Sequence, residues 1–129
     1  MVGLVIVSHS ENLAKSVIEL TSMMAPDAKI AAAGGLEDGS FGTSFERIQN
    51  AIEEVYSDEG VIILMDLGSA VMTAEMVIEM MEDRRIAMAD CPLVEGAVVA
   101  TVDAVGGKGF DEILQDLEAV WGMRKLSGN

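Results

Sequence analysis

A single cysteine, Cys91, leaves no partner for an internal disulfide, and the N-terminus has neither the charged start nor the small-residue cleavage pattern of a secretory signal. A cytoplasmic protein is expected. No apolar run approaches the roughly 18 residues that a membrane helix needs. Aromatic residues make up 4% of the chain, and eight Lys and Arg stand against 22 Asp and Glu, for a formal charge of −14. That balance repels phosphate backbones and anionic lipid and offers little for base stacking, so neither nucleic acid nor a membrane is expected as a partner. There is one histidine, and no further His or Cys stands at metal-ligand spacing, so no metal site is expected. A Ser-His-Asp hydrolase would need a Gly-x-Ser-x-Gly elbow, and none occurs. Gly106-Gly107-Lys108-Gly109 lacks the hydroxyl residue, the first glycine and the preceding buried strand of a phosphate-binding loop, and reads as a helix stop. The glycines between Gly34 and Gly42 lack dinucleotide spacing and follow the second strand rather than the first.

What is present is a chain of 129 residues, half of them hydrophobic, which suits one domain over residues 1–129 with a frayed tail from 121. Gly3 to Val7 is short, β-branched and unbroken, as in a strand buried on both faces. Ser8 with Glu11 has capping-box spacing, and a helix starting at Ser8 or Ser10 carries Leu13, Val17, Leu20 and Met24 at helical intervals. Lys29–Ala33 reads as a second strand. Thr43 with Glu46 repeats the capping box, and Phe45, Ile48, Ile52 and Val55 form the buried stripe of a second helix. Val61–Met65 is the strand most like the first and ends on Asp66. A third helix is expected over about Ala70–Asp83. Its apolar arc is wider than a surface helix needs, so it either lies deep on the sheet or also covers a partner subunit. Ile86–Cys91 is a fourth strand, with Cys91 a small packed residue. Pro92 opens a helix to about Val105 whose face of Gly96, Ala97, Ala100, Thr101 and Ala104 permits close packing. Phe110–Trp121 is a final amphipathic helix.

Strands alternating with helices imply an α/β fold: a doubly wound, open parallel sheet with helices on both faces. In the strand order 2-1-3-4, the first and third strands are neighbours, and their carboxyl ends form the crevice where such sheets bind ligands. His9 and Asp66 stand at those two ends. A histidine in a first helical turn opposes the helix dipole, so structure alone does not favour it there. The free amides of that turn suit an anion. A carboxylate on one imidazole nitrogen fixes the tautomer and leaves the other nitrogen unprotonated, as a nucleophile for a phosphoryl group needs. Ser10, Thr43, Gly68 and Ser69 are the candidates to hold the phosphoryl oxygens. Asp66, Ser69 and Thr43 also fit as plain helix caps. The residues leave open which nitrogen reacts. They also admit a flavin- or nucleotide-binding module using the same crevice, or a receiver-like domain phosphorylated on Asp66.

Five blocks in order carry a family resemblance: Leu-Val-Ile-Val-Ser-His-Ser (4–10), Lys-Ile-Ala-Ala-Ala-Gly-Gly (29–35), Gly-Thr-Ser (42–44), Met-Asp-Leu-Gly-Ser-Ala (65–70) and Pro-Leu-Val-Glu-Gly (92–96). Together they resemble the phosphotransferase subunits of bacterial dihydroxyacetone kinases that use phosphoenolpyruvate instead of ATP. That family is similar in fold to the mannose-type enzyme IIA domain of the sugar phosphotransferase system, which forms homodimers. The resemblance implies a relay. The phosphohistidine carrier protein phosphorylates His9, which passes the group to ADP on the kinase's nucleotide-binding subunit, and the ATP so formed phosphorylates dihydroxyacetone on a third subunit. It also implies that Asp66 orients His9, that Gly42-Thr43 and Gly68-Ser69 are the loops around it, that the donor is a separate protein, and that no cofactor takes part.

Overall fold

The structure, a computed structural model, describes residues 1–127. Its elements are β1 (Gly3–Ser8), α1 (Glu11–Ser22), β2 (Ile30–Gly34), α2 (Phe45–Val55), β3 (Val61–Met65), α3 (Ala70–Met80), β4 (Ile86–Ala89), α4 (Leu93–Val105) and α5 (Phe110–Ala119), followed by a 3₁₀ turn at Val120–Gly122. All strand pairs are parallel, in the order β2-β1-β3-β4. The expected doubly wound sheet is therefore present. Alternate residues of the central strands serve opposite faces. Leu4, Ile6, Ile62 and Leu64 pack with residues of α1, α4 and α5, while Val5, Val7 and Ile63 pack with residues of α2 and α3. Burial on both sides is why β1 and β3 read as continuous apolar runs rather than as alternating ones.

The register places the reactive candidates. Val7 lies opposite Met65 in the β1–β3 ladder, and the Asp66 amide still donates to the Val7 carbonyl at 3.1 Å. The residues after these two strands thus leave the sheet side by side.

Several local expectations are corrected. Ser8 belongs to β1 and is fully buried; the α1 cap is Ser10, whose Oγ accepts from the Leu13 amide at 3.1 Å. The face of α1 that meets the sheet is Ala14, Val17 and Thr21, whereas Leu13, Leu20 and Met24 are exposed. The reason is close approach. A Cβ on Gly34 would come within 2.9 Å of the Ala14 Cβ and 2.6 Å of the Ser10 carbonyl, so only a small residue fits where α1 crosses β2. At α2 the cap is Ser44 rather than Thr43, with its Oγ accepting from the Arg47 amide at 3.1 Å. β4 ends at Ala89 and α3 at Met80, both earlier than expected. The tail is tethered at two points: Trp121 Nε1 donates to the Asp90 carbonyl at 2.9 Å, and Lys125 pairs with Glu95. Of the tail expected to fray, 128–129 lie outside the described residues.

The small-residue face of α4 is buried as expected, with Gly96, Ala97, Ala100, Thr101 and Ala104 all inside. Its tightest point is Gly96, where a Cβ would come within 2.5 Å of Cys91 Sγ and 3.2 Å of a Leu64 methyl. Burial pushes the Cys91 thiol up to about 11, with the Asp90 charge adding to the effect, which fits a packing residue rather than a nucleophile. Gly96→Ala is expected to cost about 1–3 kcal/mol by overpacking, measured by urea denaturation. In a Cys91→Ala background the same change should cost clearly less, because the sulfur it meets has gone.

Candidate functional site

The site is built on the junctions that follow β1 and β3. Ser8 and His9 leave β1, and Asp66 to Ser69 lead from β3 into α3. Asp66 turns back across the gap and engages both residues of the first junction. One oxygen, Oδ2, accepts from the Ser8 hydroxyl at 2.9 Å and from the His9 amide at 3.0 Å. The other, Oδ1, lies 3.0 Å from His9 Nδ1 and also accepts from the Leu67 amide at 2.7 Å. Burial alone would push this carboxyl up. The bonds from the His9 amide and ring, the Ser8 hydroxyl and the Leu67 amide outweigh it and hold the group below its ordinary 3.8. Asp66 is therefore ionised at neutral pH. Its bonds go to Ser8, His9 and Leu67, so it is not the side-chain cap of α3.

An ionised carboxylate can only accept, so in the neutral ring the Nδ1 that faces it carries the proton. Nε2 is then the unprotonated nitrogen. Ser69 Oγ stands 2.8 Å from it, placed to donate. Ser69 occupies the residue before α3 but makes no side-chain cap bond there, so the capping alternative fails for it as well. The His9 side chain keeps 26% of its exposure and the Asp66 side chain 12%, which leaves the imidazole reachable and its orienting acid largely shielded.

Ser8 is a residue that sequence reading missed in this role. Its Oγ donates to Asp66 and accepts from the Ser10 amide at 2.9 Å, so one buried hydroxyl ties the acid to the start of α1. The adjacent Ser8-His9-Ser10 spelling holds that possibility but does not distinguish it from a helix cap. The loop after β2 also closes on the site, since the Gly42 amide donates to the His9 carbonyl at 2.9 Å. Thr43, expected beside the phosphoryl group, has its hydroxyl 3.0 Å from that of Thr73 in α3, a partner the sequence did not suggest. Ser10 Oγ serves as the α1 cap. Gly68 is exposed, and a Cβ on it would meet no atom within 4 Å, so open space lies above it.

Beside Asp66, a crevice of about 210 Å³ between the ends of β3 and β4 is lined by Met65, Leu67, Gly68, Asp90 and Trp121 among others. It adjoins a second crevice of about 440 Å³ that shares Met65, Gly68, Val71, Ala89 and Asp90 with it, and two carboxylates, Asp66 and Asp90, border the pair. Among the described residues, no group of three or more His, Cys, Asp or Glu is placed to hold a metal ion, and no helix is long and apolar enough to cross a membrane.

The lowered Asp66 value fixes the sign of a pH effect. Its bonds stabilise the fold fully above the ordinary carboxylate range, and that stabilisation is lost as pH falls through the lower folded value. Asp66→Asn should lower stability at neutral pH by about 1–3 kcal/mol, because a buried hydroxyl and an amide lose their charged acceptor. Thermal unfolding followed from pH 7 downwards should show a flatter acid limb in the variant than in the parent.

The family model for the PTS system fructose IIA component, EIIA-man, matches residues 3–114 of this chain. The phosphotransferase subunit DhaM of the PTS-dependent dihydroxyacetone kinase of Lactococcus lactis subsp. lactis (strain IL1403) is 41% identical over 116 residues, which cover 90% of this chain and 93% of that protein. The phosphoryl donor subunit DhaM of the PEP-dependent dihydroxyacetone kinase of Escherichia coli (strain K12) is 38% identical over 123 residues, covering 90% of this chain and 26% of that protein. The chain thus spans about a quarter of that longer relative. Among solved structures, phosphotransferase system component EIIA from Streptococcus agalactiae superposes with a TM-score of 0.72 over 97% of both chains at 15% identity, a likeness of fold. The curated relatives bear the name of the family that the five residue blocks resemble.

Proposed function

This chain belongs to the EIIA-man family of PTS fructose IIA components, and on that premise we propose that it is a phosphoryl carrier working through phosphohistidine at His9. The phosphohistidine carrier protein supplies the group, and ADP held on the nucleotide-binding subunit of a dihydroxyacetone kinase receives it. The observation that carries this reading is an imidazole engaged at both nitrogens, by Asp66 at Nδ1 and by Ser69 at a partly exposed Nε2.

In the first step the Ser69 hydroxyl swings off Nε2, and the freed lone pair attacks the phosphorus of the donor's phosphohistidine. The donor's N–P bond breaks and its electron pair returns to the donor imidazole. The new Nε2–P bond leaves positive charge on the His9 ring, which still holds its proton at Nδ1. Asp66 stabilises that charge while remaining ionised, as the acid behind a catalytic imidazole does. Ser69 then donates to a phosphoryl oxygen, and the amides at the start of α1 face the same charge. In the second step a terminal phosphate oxygen of ADP attacks the phosphorus, the Nε2–P bond breaks, and its electrons return to Nε2. Neither step needs a cofactor. Ser10, Thr43 and Gly68 are the further residues proposed to line the phosphoryl position.

The same proposal includes a homodimer, as the family resemblance implies, and a place in the cytoplasm, where both partners work. β4 supports the first of these: among the described residues it pairs with β3 alone and leaves one backbone edge open. The flavin- or nucleotide-binding alternative gains no support from a crevice bordered by Asp66 and Asp90, whose carboxylates repel a phosphate.

Incubation with labelled phosphoenolpyruvate, enzyme I and the carrier protein should give an acid-labile, base-stable label on the parent and none on His9→Ala. Ser69→Ala should take label roughly 10- to 100-fold more slowly. A His9→Ala protein labelled as fully as the parent would reject the reading, and a base-labile label would move the chemistry to a carboxylate.

A further inference from the structure

The loop between β2 and α2 is bonded within itself. The Leu36 amide donates to the Ser40 carbonyl at 2.9 Å, the Ser40 amide to Asp38 Oδ1 at 2.9 Å, and the Ser44 hydroxyl to Glu37. Two backbone bonds fasten this unit to the end of β1, from the Gly35 amide to the Ser8 carbonyl at 3.1 Å and from the Gly42 amide to the His9 carbonyl at 2.9 Å. A side-chain bond then joins it to α3, where the Thr43 and Thr73 hydroxyl oxygens lie 3.0 Å apart. Ser69 precedes α3 in helical backbone, and Thr73 follows it by four residues, about one turn, so the two hydroxyls stand on one side of the helix. Ser69 reaches the His9 ring and Thr73 reaches the loop that holds the His9 carbonyl.

A threonine inside a helix commonly returns its hydroxyl hydrogen to a carbonyl of the preceding turn. Thr21 does so with the Ile18 carbonyl at 3.0 Å, and Thr101 with the Ala97 carbonyl at 2.9 Å. Among the described residues, Thr73 is the helical threonine that turns away from its own helix, and both hydroxyls of the resulting pair are half-buried. A hydroxyl carries one hydrogen and two lone pairs. With the Thr73 hydrogen spent on Thr43, the Thr43 oxygen keeps its own hydrogen for a third group. That group is absent from the chain around it, and Thr43 stands between Gly42, which holds His9, and the helix whose start meets Nε2.

We infer that Thr73 is a positioning residue for phosphoryl transfer: it donates to Thr43 and thereby aims the Thr43 hydroxyl hydrogen at the phosphoryl oxygens on His9. The inference rests on the phosphoryl-carrier reading and adds to it a residue that does not itself touch the phosphoryl group. A hydroxyl left to rotate would have to be turned as charge arrives, whereas one fixed beforehand stabilises that charge without reorganisation. The same bond sets the spacing between the loop on the His9 carbonyl and the Ser69 end of α3.

The test compares Thr73→Val, which keeps the shape and removes the hydroxyl, with Thr73→Ser, which keeps the hydroxyl, with Thr43→Val and with the double valine variant. Each is labelled by the carrier protein charged from labelled phosphoenolpyruvate and, in parallel, by phosphoramidate, a small phosphoryl donor. Thr73→Val should take label roughly five- to tenfold more slowly from both donors, and Thr73→Ser at close to the parental rate. Thr43→Val should be slowed at least as much, and the double variant no further, because Thr73 acts through Thr43. In the phosphorylated proteins the pH midpoint of the ³¹P shift should rise in both single valine variants, since a lost donor favours the protonated phosphoryl group. A contact that only supported the fold would leave that midpoint in place and overturn the inference. An unchanged rate for Thr73→Val, a loss confined to the carrier protein, or losses that multiply in the double variant would each overturn it too, as would a Thr73→Ser protein as slow as Thr73→Val. A parent that takes no label, or a His9→Ala protein labelled as fully as the parent, removes the phosphoryl-carrier reading and this inference with it.

Discussion

Both oxygens of the Asp66 carboxylate are engaged by the chain that leaves the neighbouring strand: Oδ2 by the Ser8 hydroxyl and the His9 amide, Oδ1 by the His9 ring. One group thereby fixes the backbone, the orientation and the tautomer of the imidazole together. Two-point attachment matters because a ring held only through Nδ1 would still pivot about that bond. The His9 amide and ring are bound by the same acid, so the side chain has little freedom left and Nε2 points one way. The charge required for this is kept by hydrogen bonds that outweigh the cost of burying the acid.

The sheet makes this attachment possible. Parallel neighbours end on the same edge, and β1 and β3 are neighbours although 52 residues separate Ser8 from Val61, because the chain first lays β2 on the other side of β1. At that reversal of direction the connections part to opposite faces and leave the edge open. The continuous apolar strands set the register of the two ends, and the Asp66 bonds to Ser8 and His9 add to it. The rim chemistry can therefore be polar and partly exposed without loosening the frame. The glycine and small-residue contacts at Gly34–Ala14 and Gly96–Cys91 bring α1 and α4 close to the sheet, so the edge is defined by packing rather than by loops.

Much of this was legible in the residues. Leu4–Val7 and Val61–Leu64 are unbroken because both their faces are covered; that pattern gave the sheet its class, and the order 2-1-3-4 followed from the small doubly wound arrangement. A histidine and an aspartate at the ends of those two strands were then placed together by topology alone. What remained hidden depends on side chains that meet across the fold. Adjacent hydroxyls at 43 and 44 both satisfy a cap pattern, and only the point where the backbone turns helical separates them. Ser8 and Glu11 have capping spacing, yet the last strand residue is held in the sheet and its hydroxyl reaches Asp66. The Ser69 hydroxyl meets an imidazole 60 positions away, and nothing in the local sequence distinguishes that from a cap. The buried side of α1 follows the small residues that meet Gly34, where apolar periodicity alone favoured larger ones.

The central claim is that the Asp66-held ring reacts through the nitrogen that faces Ser69. Phosphorylated protein carrying ¹⁵N-labelled histidine gives the direct test, since the ³¹P–¹⁵N coupling identifies the bonded nitrogen. The coupling is expected at Nε2, with Nδ1 still protonated. A phosphorus bonded to Nδ1, the nitrogen occupied by the Asp66 contact, would contradict it.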